Sequence, residues 1–335
     1  MSDSGEFARV AEPFRRELLA HCYRMLGSVD DAEDLVQETY LRAWRSFAGF
    51  EGRASLRTWL YRIATNACLT VLEQRERRPL PAGLGGPSDD PAVSVAEPPG
   101  IAWLQPMPDA LVDSSKTDPA AIVTSRSSMR LAFVAALQHL PARQRAVLIL
   151  RDVLGWRARE VADLLGTTSM AVKSTLQRAR AQIAQVAPVE EELVEPTGPD
   201  LRRLLDQYIT AFENADATAL MRLLREDATL EMPPLATWFT GREAIGSFAA
   251  ARIFGPPGGV RMIPTGANGQ PAMAAYRRDD DGRYWAHAIH VLTAATTGIV
   301  RIVAFLDPDL FAAFGLPQVH AAAESALAAG LDGRP

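Results

Sequence analysis

From Phe133 to Ile183 the chain spells out helices whose lengths and turns leave few folds open. Phe133, Leu137 and Leu140 line one helix face, and Pro141 sits in the first turn of the next helix. Val147, Leu150 and Leu154 continue an apolar stripe until Gly155 breaks it. Val161, Leu164 and Leu165 mark a short helix ended by Gly166, and Thr167-Thr168 cap a longer one with core face Val172, Leu176, Ala179 and Ile183. Short helix, glycine turn and long helix make the helix-turn-helix pattern. Lys173, Ser174, Gln177, Arg178 and Arg180 fall off the apolar face, where side chains can reach base edges and phosphates in a major groove. A structural helical hairpin with a basic exterior fits the same spacing.

An earlier stretch is helical in a different way. Phe14 to Leu26 reads as a helix broken by Gly27-Ser28. Asp30, Asp31, Glu33 and Asp34 then open a helix with stripe Val36, Tyr40, Ala43 and Phe47, their charges complementing its positive end. Residues 47–55 form a loop punctuated by Gly49 and Gly52, and Ser55 is placed to cap a third helix. Leu60, Ile63, Ala64, Ala67 and Val71 form its buried face, leaving Arg57, Thr58, Tyr61, Arg62, Thr65 and Asn66 for a partner. Cations, aromatic rings and amides together suit single-stranded DNA. A solvated basic face fits the spacing equally.

Charge supports a polyanion partner locally, not globally. The net charge is −5, yet residues 45–78 carry seven basic against three acidic groups, and residues 140–185 eight against three. Residues 79–118 between them hold one lysine against six acidic groups. Screening acts over roughly 8–10 Å, so the local values govern. Cys22 and Cys68 lack metal-ligand spacing and read as buried thiols; no metal or cofactor is expected. The polar start of the chain and the lack of a long apolar run predict a cytoplasmic protein that does not enter a membrane.

Two runs carry a family resemblance. Asp-Asp-Ala-Glu-Asp-Leu-Val-Gln-Glu-Thr-Tyr-Leu-Arg-Ala-Trp (30–44) and Thr-Trp-Leu-Tyr-Arg-Ile-Ala-Thr-Asn-Ala (58–67) resemble region 2 of extracytoplasmic-function (ECF) sigma factors, the promoter-specificity subunits of bacterial RNA polymerase. Residues 140–152 and 171–180 resemble sigma region 4, which reads the −35 element. The resemblance implies as partners promoter DNA and core polymerase, through its β′ clamp helices and β flap. It places Asp34, Gln37, Glu38 and Arg42 on the clamp, and Phe50, Arg53, Trp59, Arg62 and Asn66 on the −10 element. Lys173, Ser174, Gln177, Arg178 and Arg180 would meet the −35 element. An anti-sigma protein remains a possible partner for which the chain's own C-terminal domain can substitute.

The expected fold is therefore multidomain. A region 2 helical bundle (10–78) and a region 4 helix-turn-helix (121–186) are joined by a flexible, acidic, proline-rich linker (79–120). The linker holds one apolar island, Ile101-Ala-Trp-Leu-Gln-Pro-Met-Pro-Asp109. A shorter linker (187–199) leads to residues 200–320, where a helix at 201–212 precedes alternating segments around 272–276, 284–292 and 299–306; residues 321–335 form a tail. Helices followed by strands suggest an α+β cone, and 212–234 with 239–245 resemble the SnoaL-like fold. Asp227, Glu231 and His287 are its candidate acid–base groups. Asp227 reads as a group preceding a strand, and His290 as pointing opposite to His287 by strand alternation. No paired constellation emerges, so regulation is expected rather than catalysis, with a small ligand in the cone pocket left open.

The resemblance extends to the SigG-like group with a fused SnoaL-like domain. It implies interdomain roles for Trp103, Leu104, Asn268, Gln270 and Asp307. The cone is expected to pack on both helical modules with the island near Trp103 between them. The competing readings are a helix-turn-helix regulator with a ligand-sensing cone, and an isomerase or hydrolase fused to a DNA-binding module.

Overall fold

The computed structural model describes residues 2–52, 54–93, 95–112, 127–186 and 196–320. Helices α1 (Ser2–Ala11), α2 (Arg15–Leu26), α3 (Val29–Ser46) and α4 (Leu56–Leu72) form the first bundle. Gly27 ends α2 in the left-handed conformation (φ 72°), and Ser28 caps α3 by accepting from Asp31 N at 3.2 Å. Leu18, Cys22, Tyr23, Met25, Val36, Leu60 and Ala64 are its buried centre.

The second bundle comprises α5 (Leu131–Leu137), α6 (Ala142–Leu148), α7 (Ala158–Leu165) and α8 (Ser169–Val186). Gly166 ends α7 at φ 62°, and Thr168 Oγ1 accepts from Ala171 N, so the turn chemistry is as the sequence implies. The two bundles touch. Arg145 of α6 is buried and donates to Met25 O at the end of α2, to Gln138 Oε1 (2.7 Å), and to Gln138 O and Leu140 O (both 3.2 Å).

The third domain packs α9 (Gly198–Glu213), α10 (Ala217–Leu223) and α11 (Arg242–Phe248) on one sheet. Its strands are β1 (Leu224–Glu231), β2 (Trp238–Thr240), β3 (Val260–Ala267), β4 (Gln270–Arg278), β5 (Tyr284–Ala295), β6 (Gly298–Phe305) and β7 (Val319–His320), with α12 (Leu310–Ala313) before the last. Their order is β2-β1-β6-β5-β4-β3, with β7 on β5; β1 and β6 run parallel and the other pairs antiparallel.

Alternation along these strands feeds two cores. Met273, Ala275, Ala288, Leu292 and Ala304 face α9–α11. Ala272, Ala274, Tyr276, Ile289, Val291, Val303 and Phe305 belong to the core shared with the helical bundles. The cone thus packs on both bundles, with Leu104 and Met107 of the island fully buried in that shared core.

Of the expected flexible tether (79–120), Ser94 and residues 113–120 lie outside the described residues, and residues 79–93 and 95–112 depart from that expectation. Along this segment Leu104 N bonds to Pro79 O, Gln105 N to Gly27 O, Tyr23 OH to Gln105 O and Asn268 N to Met107 O. The low apolar periodicity of the segment hides this, because backbone amides and carbonyls supply most of its bonds.

Candidate polymerase and nucleic-acid interfaces

On α3, Asp34, Gln37 and Arg42 are exposed, and half-buried Glu38 pairs with Arg42 at 2.6 Å across one helical turn. The same face holds two residues that the sequence reading omitted: Leu41 and Trp44, 47% and 48% exposed. With Gln37 they fall at i, i+4 and i+7 and line an open groove against Phe7, Ala8 and Ala11 of α1. That second stripe was visible in the sequence beside the Val36–Ala43 stripe. Large apolar groups left on a monomer's surface next to charge mark a docking face.

At the start of α4 the aromatic residues cluster. Phe50 lies on Trp59 (4.9 Å between centroids, 33° between planes) and runs nearly parallel to Phe47 (6.4 Å, 9°). Ser55 caps the helix through Thr58 N (3.1 Å). Trp59, Arg62 and Asn66, at i, i+3 and i+7, share one face on which Arg62 and Asn66 are exposed and Trp59 half-buried. Arg53 lies outside the described residues.

Three residues expected to be available are committed within the chain. Tyr61 and Thr65 are fully buried. Thr65 Oγ1 bonds to His21 Nε2 at 2.9 Å, and Tyr61 packs between His21 and Trp156 of the second bundle. Arg57 donates to both carboxylate oxygens of Glu17 at 2.8–2.9 Å. Helix α4 carries two buried faces because the second bundle packs on it, and one helix's periodicity cannot reveal the second.

In the helix-turn-helix, Val172, Leu176 and Ala179 of α8 are buried, while Lys173, Ser174, Gln177 and Arg178 are exposed beside one another. Arg180 differs. Its guanidinium forms a fork with Asp152 at 2.7 and 2.8 Å, which leaves it less free to meet a phosphate.

The island and the β3–β4 turn meet between the domains. Asn268, fully buried in the left-handed region (φ 58°), accepts from Met107 N (2.9 Å) and donates to Tyr23 OH and Met129 O (both 2.8 Å). Gln270 accepts from Leu131 N (2.9 Å) and donates to Thr293 Oγ1 (2.9 Å). One turn of the cone therefore holds the first bundle, the island and the entry to the second bundle. Leu104 is buried against Gly27, and Trp103 is half-buried, its carbonyl accepting from Arg78 at 3.0 Å. Asp307 makes no such side-chain bond to another domain among the described residues. It caps its own loop at Asp309 N (3.0 Å), and burial, then the charges of Asp309 and Asp30, push its carboxyl above the usual range.

The cone's candidate acids are also committed. Asp227 lies within β1 rather than before it, exposed and paired with Arg225. Glu231 is buried, bonded to Arg301 (2.5 and 2.9 Å) and to Ala82 N (2.8 Å). His287 and His290 line the same cavity, contrary to simple alternation. A bulge explains it: Ala275 pairs with Ala288 and Tyr276 with Ala286, so His287 is the extra residue. His290 Nδ1 meets Tyr208 OH at 2.8 Å. Burial, with Arg277 second, pulls the His287 ring down to about 4. Burial, with His287 second, pulls His290 to about 3.

Residues 10–78 match Sigma-70 region 2, residues 130–183 match Sigma-70 region 4, and residues 205–303 match the SnoaL-like domain. Two sigma modules in this order, closed by a cone, define a sigma-70-type initiation factor with a fused α+β domain. The ECF RNA polymerase sigma factor SigG of Mycobacterium tuberculosis is 53% identical over 316 residues, covering 94% of this chain and 85% of SigG. SigJ of the same organism is 29% identical over 221 residues, covering 65% and 62%. Its crystal structure superposes with a TM-score of 0.59 at 23% identity over 92% of this chain and 98% of that one, which shows the shared fold. The chain belongs to the ECF RNA polymerase sigma factors.

Proposed function

We propose that this sigma factor is held in a closed state by its own cone, which must release the two sigma modules before both promoter elements are bound. In this reading Asp34, Gln37, Glu38 and Arg42, with Leu41 and Trp44, dock on the β′ clamp helices of core polymerase. The Phe50–Trp59 pair receives a base from the melted −10 strand, which costs a few kcal/mol to unstack. Arg62 and Asn66 hold the adjoining strand, and Lys173, Ser174, Gln177 and Arg178 read the −35 element. The protein works in the cytoplasm as a specificity subunit and not as an enzyme.

The observation that carries the closed state is the Asn268–Gln270 turn, whose side chains reach both modules. Geometry supports the need for opening. Elements named −10 and −35 lie about 25 base pairs apart, roughly 85 Å at ~3.4 Å per pair. Two touching modules of about 60 residues, each roughly 27 Å across, span only about 55 Å.

Run-off transcription with bacterial core polymerase, on genomic fragments including the protein's own promoter, tests this. Specific transcripts from the full chain, more abundant with Asn268→Gly/Gln270→Ala, are expected. Sequence-specific binding to duplex DNA without transcripts, and without β′ binding sensitive to Asp34 or Gln37, would instead make it a helix-turn-helix regulator. Transcripts unaffected by the turn variants would remove the cone's restraining role.

A further inference from the structure

The cone holds a partly open cavity of about 190 Å³, with exposed Arg252 and Arg277 among its lining residues, and part of its wall comes from outside the cone. Val95, from the segment between the sigma modules, lines it with Phe212, Leu230, Phe248 and Ile302. Val93 packs on the same core. The segment is tied down beside the cavity by hydrogen bonds. Ser88 N donates to Trp238 O and Trp238 Nε1 to Gly85 O (both 2.8 Å). The Arg252 guanidinium donates to Ala92 O (3.0 Å) and Val93 O (3.4 Å), and Arg252 itself lines the cavity.

The wall is apolar except for Arg252, Arg277, His287 and His290. No carboxylate is among its lining residues, and Arg277 has no carboxylate paired to it among the described residues. His290 uses one ring nitrogen on Tyr208; the other has no hydrogen bond among the described residues. Burial keeps both imidazoles neutral at pH 7, so each offers an N–H or a lone pair rather than charge. The fixed charge around the cavity is thus positive and comes from the two guanidiniums. Cavities of about 150 Å³ accept benzene, so this one suits a ring or short chain with a small substituent.

We propose that the cavity binds a small apolar carboxylate, an aryl or medium-chain aliphatic acid, whose head group pairs with Arg277 and draws Arg252 off the carbonyls of Ala92 and Val93. The Ala92 and Val93 carbonyls offer Arg252 only dipoles, whereas a carboxylate offers a full opposite charge and two oxygens in fork geometry, so the acid competes with them for the guanidinium. Occupancy then loosens the segment that joins the sigma modules. The effect on promoter binding rests on the regulatory reading above; the site does not, and its test is read on the free protein without polymerase.

The full chain is titrated calorimetrically with 4-ethylbenzoate and with uncharged 4-ethylbenzyl alcohol, and amide exchange at Ala92 and Val93 is followed with and without the acid. The acid should bind one per chain, at least tenfold tighter than the alcohol, and speed that exchange. Arg277→Gln should weaken binding at least tenfold and Arg277→Lys should retain most of it, while both keep wild-type exchange when unliganded. Arg252→Gln should show fast exchange without any ligand. Absence of binding at millimolar acid, equal binding of acid and alcohol, indifference to Arg277→Gln, or binding that leaves exchange unchanged or slower would each overturn the proposal.

Discussion

At the scale of single residues, buried polar groups fix how the domains meet. Asn268 supplies three side-chain hydrogen bonds to two modules and the island, in a left-handed backbone conformation that asparagine tolerates. Each buried partner left unsatisfied costs about 1–3 kcal/mol. Asn268→Ala should therefore open the interface, seen as faster amide exchange in residues 23–29 and 104–107. Asn268→Gly, free of backbone strain, should do so less. Gly27 is a second such point. Its φ is 72°, and an added Cβ would lie 2.8 Å from Leu104 Cδ1 and about 3.1 Å from the Gln138 side chain. Gly27→Ala should cost at least the roughly 1–2 kcal/mol of left-handed strain, measured by urea unfolding. Histidines set an acid limit. Burial, helped by Arg24 and Arg57, pulls His21 down to about 3, alongside His287 at about 4 and His290 at about 3. Unfolded histidine titrates near 6.5. The stability from keeping these rings neutral is full above about pH 6.5 and is lost as pH falls from there toward the folded values. Ring NMR should find all three neutral at pH 5, and the urea midpoint should be lower at pH 5 than at pH 7.5.

At the scale of elements, α8 separates contact from support. Lys173→Ala and Arg178→Ala should each weaken binding to promoter duplex and lower the salt slope of log K by about one, read by fluorescence anisotropy from 50 to 200 mM salt. Arg180→Ala should change that slope less, since its guanidinium is already bonded to Asp152. Apart from α1, which the sequence showed only as a polar start, the helices of both sigma modules were legible because caps and breakers mark their ends: Ser28, Ser55 and Thr168 start helices, and Gly27 and Gly166 stop them. The strands β4, β5 and β6 showed as alternating apolar runs between turns. Of β1 only a strand after Asp227 showed, since Leu224–Glu231 carries charge on its exposed positions, and β3 did not show, since Val260–Ala267 includes a proline and a glycine. Nor did the second buried face of α4, or the bulge that brings His287 beside His290. Each depends on a neighbouring element that no local period encodes. For the interfaces, residue types showed where charge and rings gather, but not that Arg57 and Arg180 are already bonded within the chain.

At the scale of the whole molecule, closure is the property to measure. Dyes at Arg16→Cys on α2 and Gln185→Cys near the end of α8, both exposed and outside the proposed interfaces, with Cys22 and Cys68 buried and unreactive, should show high energy transfer in free protein and a marked fall in the promoter complex. Unchanged transfer would mean that the modules bind DNA without separating. The sheet adds a consequence of its own. Its outer face, with Ala272, Ala274, Tyr276, Ile289, Val291, Val303 and Phe305, is an interior surface shared with the sigma modules. A free-standing cone would present much of that face to water, Tyr276 apart, whose ring packs on the cone's own Phe311 and His320. The domain is therefore not portable: gene fission, or grafting it onto another DNA-binding protein, would demand new polar residues on alternate positions of three strands. Selection on that face and on the helices covering it should be coupled, so that the cone and its two companions change as one inherited unit.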